Sequence, residues 1–487
     1  MEKQKAVVIG SGVAGLTAAA YLAQNEFNVT VVEQFPVIGG VTATLHQDGF
    51  SWDLGPMLLE GIGSEEPAGE ILAELGISNK LTLIRDERGV EFPDFSLWKP
   101  DSYKGRYWRK ERLKELFPGD RHGLDRYYSF YSSVVNLQAM GRKIEKKKGL
   151  SSQLIRLMMI VNLLPVKKLM QYTAAELMDE FFKDDRLKAV FTTLLADFVT
   201  PPSKFPAPGI PAINIESPFD KNMPLRGQPS YHYVRGGMEK LVQALSSVIY
   251  ENNCEILTGN CVEKIIVDED KVSGVRLKSG IILPADLVLA SGGVRETMFN
   301  LVGMEKLPED FIQQVESVPL MESVHMIHLG IDFDPTPFQR KALCYYYNTY
   351  DVEGAIQDCR EGRYEGGEHG FLIYIPSMHS PEMAPPGKHA VTIYTIAPNI
   401  LQKGDWQERG SKLTEVLLER AEEKIPGLRK GEVTRIVLTP QDFRTRCHLE
   451  HDAFGGRAPF IGRKGGPHKT PIQGLWFIGR QSEKLGG

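Results

Sequence analysis

One stretch near the start of the chain constrains it more than any other. Ala6-Val7-Val8-Ile9 has the apolar, β-branched character of a buried strand and runs directly into Gly10-Ser11-Gly12-Val13-Ala14-Gly15. Leu16 to Gln24, mostly good helix formers, come next, and Asn28 to Val32 reads as a second strand ending on Glu33. That order is what a dinucleotide-binding βαβ unit requires. Gly10 permits the tight turn, Gly12 lets a pyrophosphate approach bare backbone, and Gly15 lets the helix pack on the strand, with the phosphates at the helix N-terminus. Glu33, 23 residues after Gly10, stands where a carboxylate accepts the adenosine ribose hydroxyls. Ser11, Val13 and Ala14 complete the loop and first turn and belong to the same site.

The charged Met1-Glu2-Lys3-Gln4-Lys5 before this stretch imitates a signal peptide, but the glycines and the second strand argue against a leader or a membrane span. With 487 residues the chain has room for two or three domains. Its 57 Lys and Arg against 62 Asp and Glu leave a net charge of -5, which offers nothing to a nucleic-acid backbone. Cys254, Cys261, Cys344, Cys359 and Cys447 form no C-x-x-C pair, which argues against a disulfide framework or structural zinc and fits a reducing, cytoplasmic setting. His325-Met326-Ile327-His328 and His448-Leu449-Glu450-His451 lack a third ligand, so no metal is assigned. Ser11 and Ser291 lack the G-x-S-x-G frame of a hydrolase elbow.

The residues after Glu33 choose between NAD and FAD. Gln34-Phe35-Pro36-Val37-Ile38-Gly39-Gly40 and then Asp53-Leu54-Gly55-Pro56 offer bare backbone along an extended dinucleotide, which favours FAD. From Val8 to Pro56 the chain resembles the flavoprotein family of phytoene desaturases, carotenoid isomerases and retinol saturases and, more distantly, the flavin amine oxidases. The resemblance implies an α/β fold: a discontinuous, Rossmann-like FAD-binding domain of glutathione-reductase type with an interposed α+β substrate domain. Residues 1–69, 228–295 and 435–487 would form the first, and 70–227 with 296–434 the second, membrane-associating one. Tyr233-Val234-Arg235-Gly236-Gly237-Met238 would open a helical stretch to Tyr250. On the family's pattern Val262 meets the adenine side through its backbone, Ser291 and Gly292 lie on a further glycine turn, and Gly479 with Arg480 closes the site beside the ribityl chain and pyrophosphate.

Two departures from the pattern stand out. Desaturases of the family usually carry a basic residue after the glycine pair, where this chain has Val41; isomerases and saturases commonly lack it, whereas Gly55-Pro56 is more like the desaturase loop. The sequence also stops at Gly487, where relatives continue into a glycine-rich turn and a helix, so either a tail is missing or the site closes in another way. The resemblance implies an FAD-dependent oxidoreductase acting on carbon–carbon bonds of an apolar polyene or isoprenoid, by desaturation or, with reduced flavin, by isomerisation or saturation. Without a second GxGxxG unit, oxygen, a quinone or externally reduced flavin is the expected electron route. An amine-oxidase-like enzyme and a non-catalytic prenyl or lipid escort of the same fold are the alternatives. No catalytic residue is assigned; Glu60, Arg446 and His448 are polar residues near the flavin segments.

The interposed segments carry further signals. Thr173 to Phe182 has helical spacing, and Pro201 to Pro218 reads as an irregular surface or lid loop. Leu154 to Leu164 is apolar except for Arg156 and Asn162 and is collared by Arg142, Lys143, Lys146, Lys147, Lys148, Lys167 and Lys168 against the single acid Glu145. Eleven helical residues rise about 16 Å, half of the roughly 30 Å a bilayer core needs. The stretch cannot span a membrane but suits an interfacial anchor, with residues 142–168 on the membrane surface and cations at anionic headgroups.

Overall fold

The structure, a computed structural model, describes residues 3–55, 57–64, 66–100, 107–146, 150–215, 230–447 and 456–482. Lys5–Ile9, Val13–Gln24 and Asn28–Val32 form the expected strand, helix and strand. The strands pair in parallel with Val8 opposite Val31, so the helix between them crosses over the sheet. It lies close because Ala19, Ala20 and Ala23 present almost no side chain, while Leu16, fully buried, contributes about 2 kcal/mol of apolar burial. Its neighbour on that face is the helix Glu239–Glu251, which buries Leu241, Leu245 and Val248 in the same core.

Strands from far along the chain complete the sheet, in the order Glu255–Leu257, Asn28–Val32, Lys5–Ile9, Leu287–Ala290, Leu475–Phe477. Every pairing is parallel. All the carboxyl ends therefore share one edge, which is where open parallel sheets bind ligands. One sequence expectation shifts here: Tyr231–Val234 is a strand, paired with Leu59–Glu60 and Leu83–Arg85, and the helix begins only at Glu239, after two glycines at positive φ, Gly236 and Gly237.

A second, seven-stranded sheet runs Glu432–Leu438, Ser323–Ile331, His389–Ala397, Gly370–Tyr374, Leu343–Tyr347, Gly89–Glu91, Ser96–Leu97. His325 and His328 are core residues of it. His325 shares hydrogen bonds with Tyr364 Oη (2.9 Å) and Thr414 Oγ1 (3.0 Å), and His328 with Thr392 Oγ1 (2.9 Å). Burial pushes these imidazoles down to about 4 and about 3, so both are neutral. Among the described residues no three ligating side chains come together for a metal; His448 and His451 lie outside them.

A helical layer joins this sheet. Arg121–Lys146, Ala174–Phe181 and Asp185–Thr192 enclose an aromatic core of Tyr127, Tyr128, Phe181, Phe182 and Phe191. Thr173 and Glu176 form a reciprocal capping box that fixes where the second helix starts. The proline-rich segment corrects its sequence reading. Over its described part, Pro201 to Ile215, it is irregular but no surface lid: Phe205, Ala207 and Ile210 are fully buried in the same core, and Gly209–Ile213 is a short helix. The apolar stretch is the helix Leu150–Leu163. Its Met159 and Leu163 pack on the core, while Leu154 (61% exposed), Leu157 (59%), Met158, Val161 and Leu164 (65%) recur at helical spacing on an open face.

Candidate functional site

Everything at the carboxyl edge of the parallel sheet follows from a chain that must turn out of each strand without side chains in the way. Gly10, at φ +92°, turns the chain as it leaves Ile9, and its N–H donates to Val32 O at 2.8 Å. Gly15 is where helix meets turn: a Cβ there would stand 2.0 Å from Gly10 O. Gly12 differs. Its backbone is extended and a Cβ on it would meet nothing within 4 Å, so the glycine there leaves space free above the helix N-terminus. No side chain caps that terminus, which leaves the first-turn N–H groups of Val13 and Ala14 and the positive end of the helix dipole facing the space.

The acid at the end of the second strand is held in place. Glu33 Oε2 accepts from Ser11 N (2.9 Å) and Ser11 Oγ (2.6 Å), and Oε1 accepts from Phe35 N (2.9 Å). Ser11 thus orients the carboxylate while its own O accepts from Gly39 N at 3.0 Å. Gly39, at φ +113°, and Gly40 bring the next loop against the first; a Cβ on Gly40 would stand 3.3 Å from Gly12 Cα. Gly259 N and Asn260 N donate to Phe35 O and Glu33 O, both at 2.9 Å, which docks Val262 at the start of its strand beside the acid. Ser291 donates to Ile9 O from N (3.0 Å) and Oγ (2.8 Å), and the space beside Gly292 is open to a Cβ, as at Gly12. Gly479 closes against it: a Cβ there would meet Gly292 O at 2.5 Å. The structure therefore brings Gly10, Ser11, Gly12, Val13, Ala14, Gly15, Glu33, Gln34, Gly39, Gly40, Val262, Ser291, Gly292 and Gly479 to one edge, with Val41 on the turn after Gly40 and Arg480 following Gly479. Pro56 lies outside the described residues.

Two neighbours take roles that no local motif marks. Asp53 is buried and accepts from Thr44 Oγ1 (3.0 Å) and Met238 N (2.8 Å), tying the Gly55 loop to the start of the helix Glu239–Glu251. Burial pushes its carboxyl up to about 6. Arg446 answers the missing basic residue at Val41 from a distance: Nη2 donates to Gly40 O at 3.2 Å, its guanidinium lies 4.7 Å from the Phe35 ring, and its O accepts from Gln34 Nε2 at 2.7 Å. His448 is outside the described residues.

Away from this edge lies a chamber of aromatic and charged residues, equally unannounced by any motif. One cavity is lined by Asp197, Tyr345, Tyr347 and Tyr394, and an adjoining one by Arg88, Trp108, Arg109 and Tyr231, with Thr193 on both walls. Asp197 Oδ2 accepts from Tyr345 Oη at 2.9 Å, and burial pushes the carboxyl up to about 6. Glu60 is exposed to solvent along part of its side chain, yet the surrounding protein desolvates its carboxyl enough to push it up to about 7, with Arg88 opposing and Asp197 and Glu66 adding. Burial also holds the Tyr394 phenol protonated, with Asp197 acting the same way and Arg480 against it, so the ring lies within electrostatic reach of both the chamber acid and the segment after Gly479.

Comparisons with known proteins agree with this geometry. The chain is 25% identical over 497 residues to prolycopene isomerase 1, chloroplastic, of an Oncidium hybrid cultivar, covering 98% of this chain and 80% of that protein. It is 27% identical to the zeta-carotene-forming phytoene desaturase of Myxococcus xanthus, covering 99% and 90%. Its fold matches that of an oxidoreductase from Methanosarcina mazei (TM-score 0.65, 20% identity, 99% and 96% covered) and of putrescine oxidase bound to putrescine (TM-score 0.61, 14% identity, 99% and 95% covered). The family model described as flavin containing amine oxidoreductase matches residues 13–417. The space left at Gly12 and Gly292 beside an uncapped helix end and an oriented carboxylate fits such a cofactor, and the chain belongs to the flavin containing amine oxidoreductase family, as an FAD-dependent oxidoreductase.

Proposed function

We propose that this flavoprotein acts on carbon–carbon bonds of an apolar isoprenoid or polyene, desaturating it or, with reduced flavin, isomerising or saturating a double bond. The observation that carries the reading is that relatives named for prolycopene isomerisation and phytoene desaturation match nearly the whole chain, chamber as well as nucleotide edge. On this reading residues 1–69, 228–295 and 435–487 form the cofactor domain and 70–227 with 296–434 the substrate domain. Gly10, Ser11, Gly12, Val13, Ala14 and Gly15 cradle the pyrophosphate, Glu33 takes the ribose hydroxyls, and Val262 meets the adenine. Gln34, Gly39, Gly40, Val41, Gly55, Pro56, Ser291, Gly292, Gly479 and Arg480 follow the rest of the dinucleotide. FAD, when bound, supplies hydride transfer to or from carbon. Glu60 holds or releases the accompanying proton, Tyr345, Tyr347 and Tyr394 wall the substrate, and oxygen or a quinone is the final acceptor.

Anaerobic incubation of the dithionite-reduced holoenzyme with a cis-polyene tests this reading. A product of unchanged mass means isomerisation and a gain of two hydrogens means saturation, while the oxidised enzyme losing two hydrogens from substrate means desaturation. Inertness toward polyenes in both redox states, with flavin bound, would sink the reading. Oxidation of an amine is the second reading, favoured by Asp197 on the chamber wall and by Glu60, which feels its charge, since such acids suit a cation; hydrogen peroxide released with putrescine would select it.

The same reading places the helix Leu150–Leu163 on a membrane. At about 21 Å it is too short to cross, and among the described residues no helix is long and apolar enough to do so. Its exposed face of Leu154, Leu157, Met158, Val161 and Leu164, with Arg142, Lys143, Lys167 and Lys168 in the flanking segments, matches an anionic lipid surface in both chemistry and charge. Leu157→Glu with Met158→Glu is expected to lower co-sedimentation with phosphatidylglycerol vesicles by at least about tenfold, since each apolar side chain withdrawn from lipid forfeits about 1.5–3 kcal/mol. Flavin content stays unchanged. Equal sedimentation of the variant and the parent protein would remove the anchor.

A further inference from the structure

We infer that Arg88 is the binding point for an oxygen-bearing end group of the substrate, so that the chamber takes an isoprenoid terminated by a carboxylate or carbonyl oxygen rather than a plain hydrocarbon. The inference rests on the isoprenoid reading above and goes beyond it in naming the end group and its partner. Arg88 lines the chamber, with its guanidinium 4.8 Å from the Tyr231 ring and 5.7 Å from the Tyr345 ring. Among the described residues it donates one hydrogen bond, from Nη2 to Ile213 O at 3.3 Å, and makes no ion pair. A guanidinium has five N–H donors, so most of its capacity finds no partner among the described residues.

The neighbouring charges are already engaged. Glu87 accepts from Lys99 Nζ (3.0 Å) and Trp108 Nε1 (3.3 Å). Asp197 holds Tyr345 Oη, and Arg109 donates to Asn214 Oδ1 at 3.2 Å. Glu60 and Asp197 act on Arg88 only across space. Contact with two aromatic rings stabilises a desolvated cation but gives its N–H groups no acceptor. A hydrocarbon seated here would press against unsatisfied donors. A carboxylate or carbonyl oxygen completes them, and a carboxylate does so in the bidentate geometry that guanidinium favours. The aromatic walls of Tyr231, Tyr345 and Tyr347 then flank a conjugated chain leading away from that end.

Equilibrium binding of three probes that share one polyene chain tests the assignment. All-trans-retinoic acid, its methyl ester and the parent hydrocarbon axerophthene are titrated against the FAD-loaded protein in detergent, read by quenching of tryptophan and flavin fluorescence. The acid, the ester or both are expected to bind at least about tenfold more tightly than the hydrocarbon, the acid alone if an anion is read and both if a neutral carbonyl suffices. Arg88→Met, which keeps the apolar stem, removes the preference for the oxygenated probes and leaves the hydrocarbon bound at least as tightly as before, since the unsatisfied donors are gone; Arg88→Lys keeps part of the difference. Equal affinity of the parent protein for all three overturns the inference, as does Arg88→Met weakening all three alike. The three titrations of the parent protein decide the question even where a variant fails to fold. Loss of flavin or of all polyene binding would instead strike the reading beneath it.

Discussion

Substituting Gly12 with valine is expected to give a folded protein that no longer retains flavin. The backbone of Gly12 is extended, at φ -63° and ψ 167°, which any residue adopts, and a Cβ there meets no protein atom within 4 Å. The fold therefore accepts the side chain. Removing a glycine from such a position also restricts the unfolded chain, which stabilises by about 0.4–1 kcal/mol. The added methyls enter the space before the N–H groups of Val13 and Ala14, where the proposed pyrophosphate sits. Loss of that approach is expected to weaken FAD binding by at least about a hundredfold, close to 3 kcal/mol. The visible flavin spectrum after gel filtration and the melting temperature of the apoprotein check the two halves. Gly15→Ala supplies the contrast: its Cβ falls 2.0 Å from Gly10 O, so helix and turn must separate and apoprotein stability falls together with flavin. A Gly12→Val protein that stays yellow would detach this edge from the cofactor.

The edge is legible in the sequence because its physics is local. Gly10, Gly12, Gly15 and Glu33 lie within one strand-helix-strand unit, and each glycine answers a separate backbone demand. Ser291, Gly292 and Gly479 are placed by resemblance to a family rather than by spacing, and the parallel register of Leu287–Ala290 and Leu475–Phe477 beside Lys5–Ile9 is what brings them to Gly10. The chamber cannot be read in this way. Glu60, Arg88, Asp197, Tyr231 and Tyr345 come from five distant segments, and only tertiary packing turns them into one electrostatic unit. Pro201 to Ile215 departs from its sequence reading because proline density signals irregular backbone and says nothing about burial, which here is decided by Phe205 and Ile210. Arg446 shows a related limit: the cation missing at Val41 reaches the glycine pair from the far end of the chain.

Glu60→Gln is expected to leave flavin in place and lower turnover by about a hundred- to ten-thousandfold, the range general acid–base groups contribute. The pH dependence separates this from a structural effect. Desolvation, with Asp197 and Glu66 adding and Arg88 opposing, pushes the Glu60 carboxyl up to about 7. If it accepts a proton during desaturation, kcat rises with pH through about 7; if it donates one during saturation, kcat falls through the same point. Either limb disappears in the glutamine variant. Stability supplies an independent sign. A carboxyl raised in the folded state keeps its proton there while the unfolded chain releases it, so its contribution to stability is full below the ordinary glutamate range, near 4.3, and is lost as pH rises toward 7. The amide never ionises. Glu60→Gln should therefore melt higher than the parent protein at pH 8 and indistinguishably from it at pH 4. A variant with the parent's pH–rate profile would move the proton to another group, and one with the parent's melting curve at pH 8 would mean that Glu60 titrates as an ordinary solvated acid.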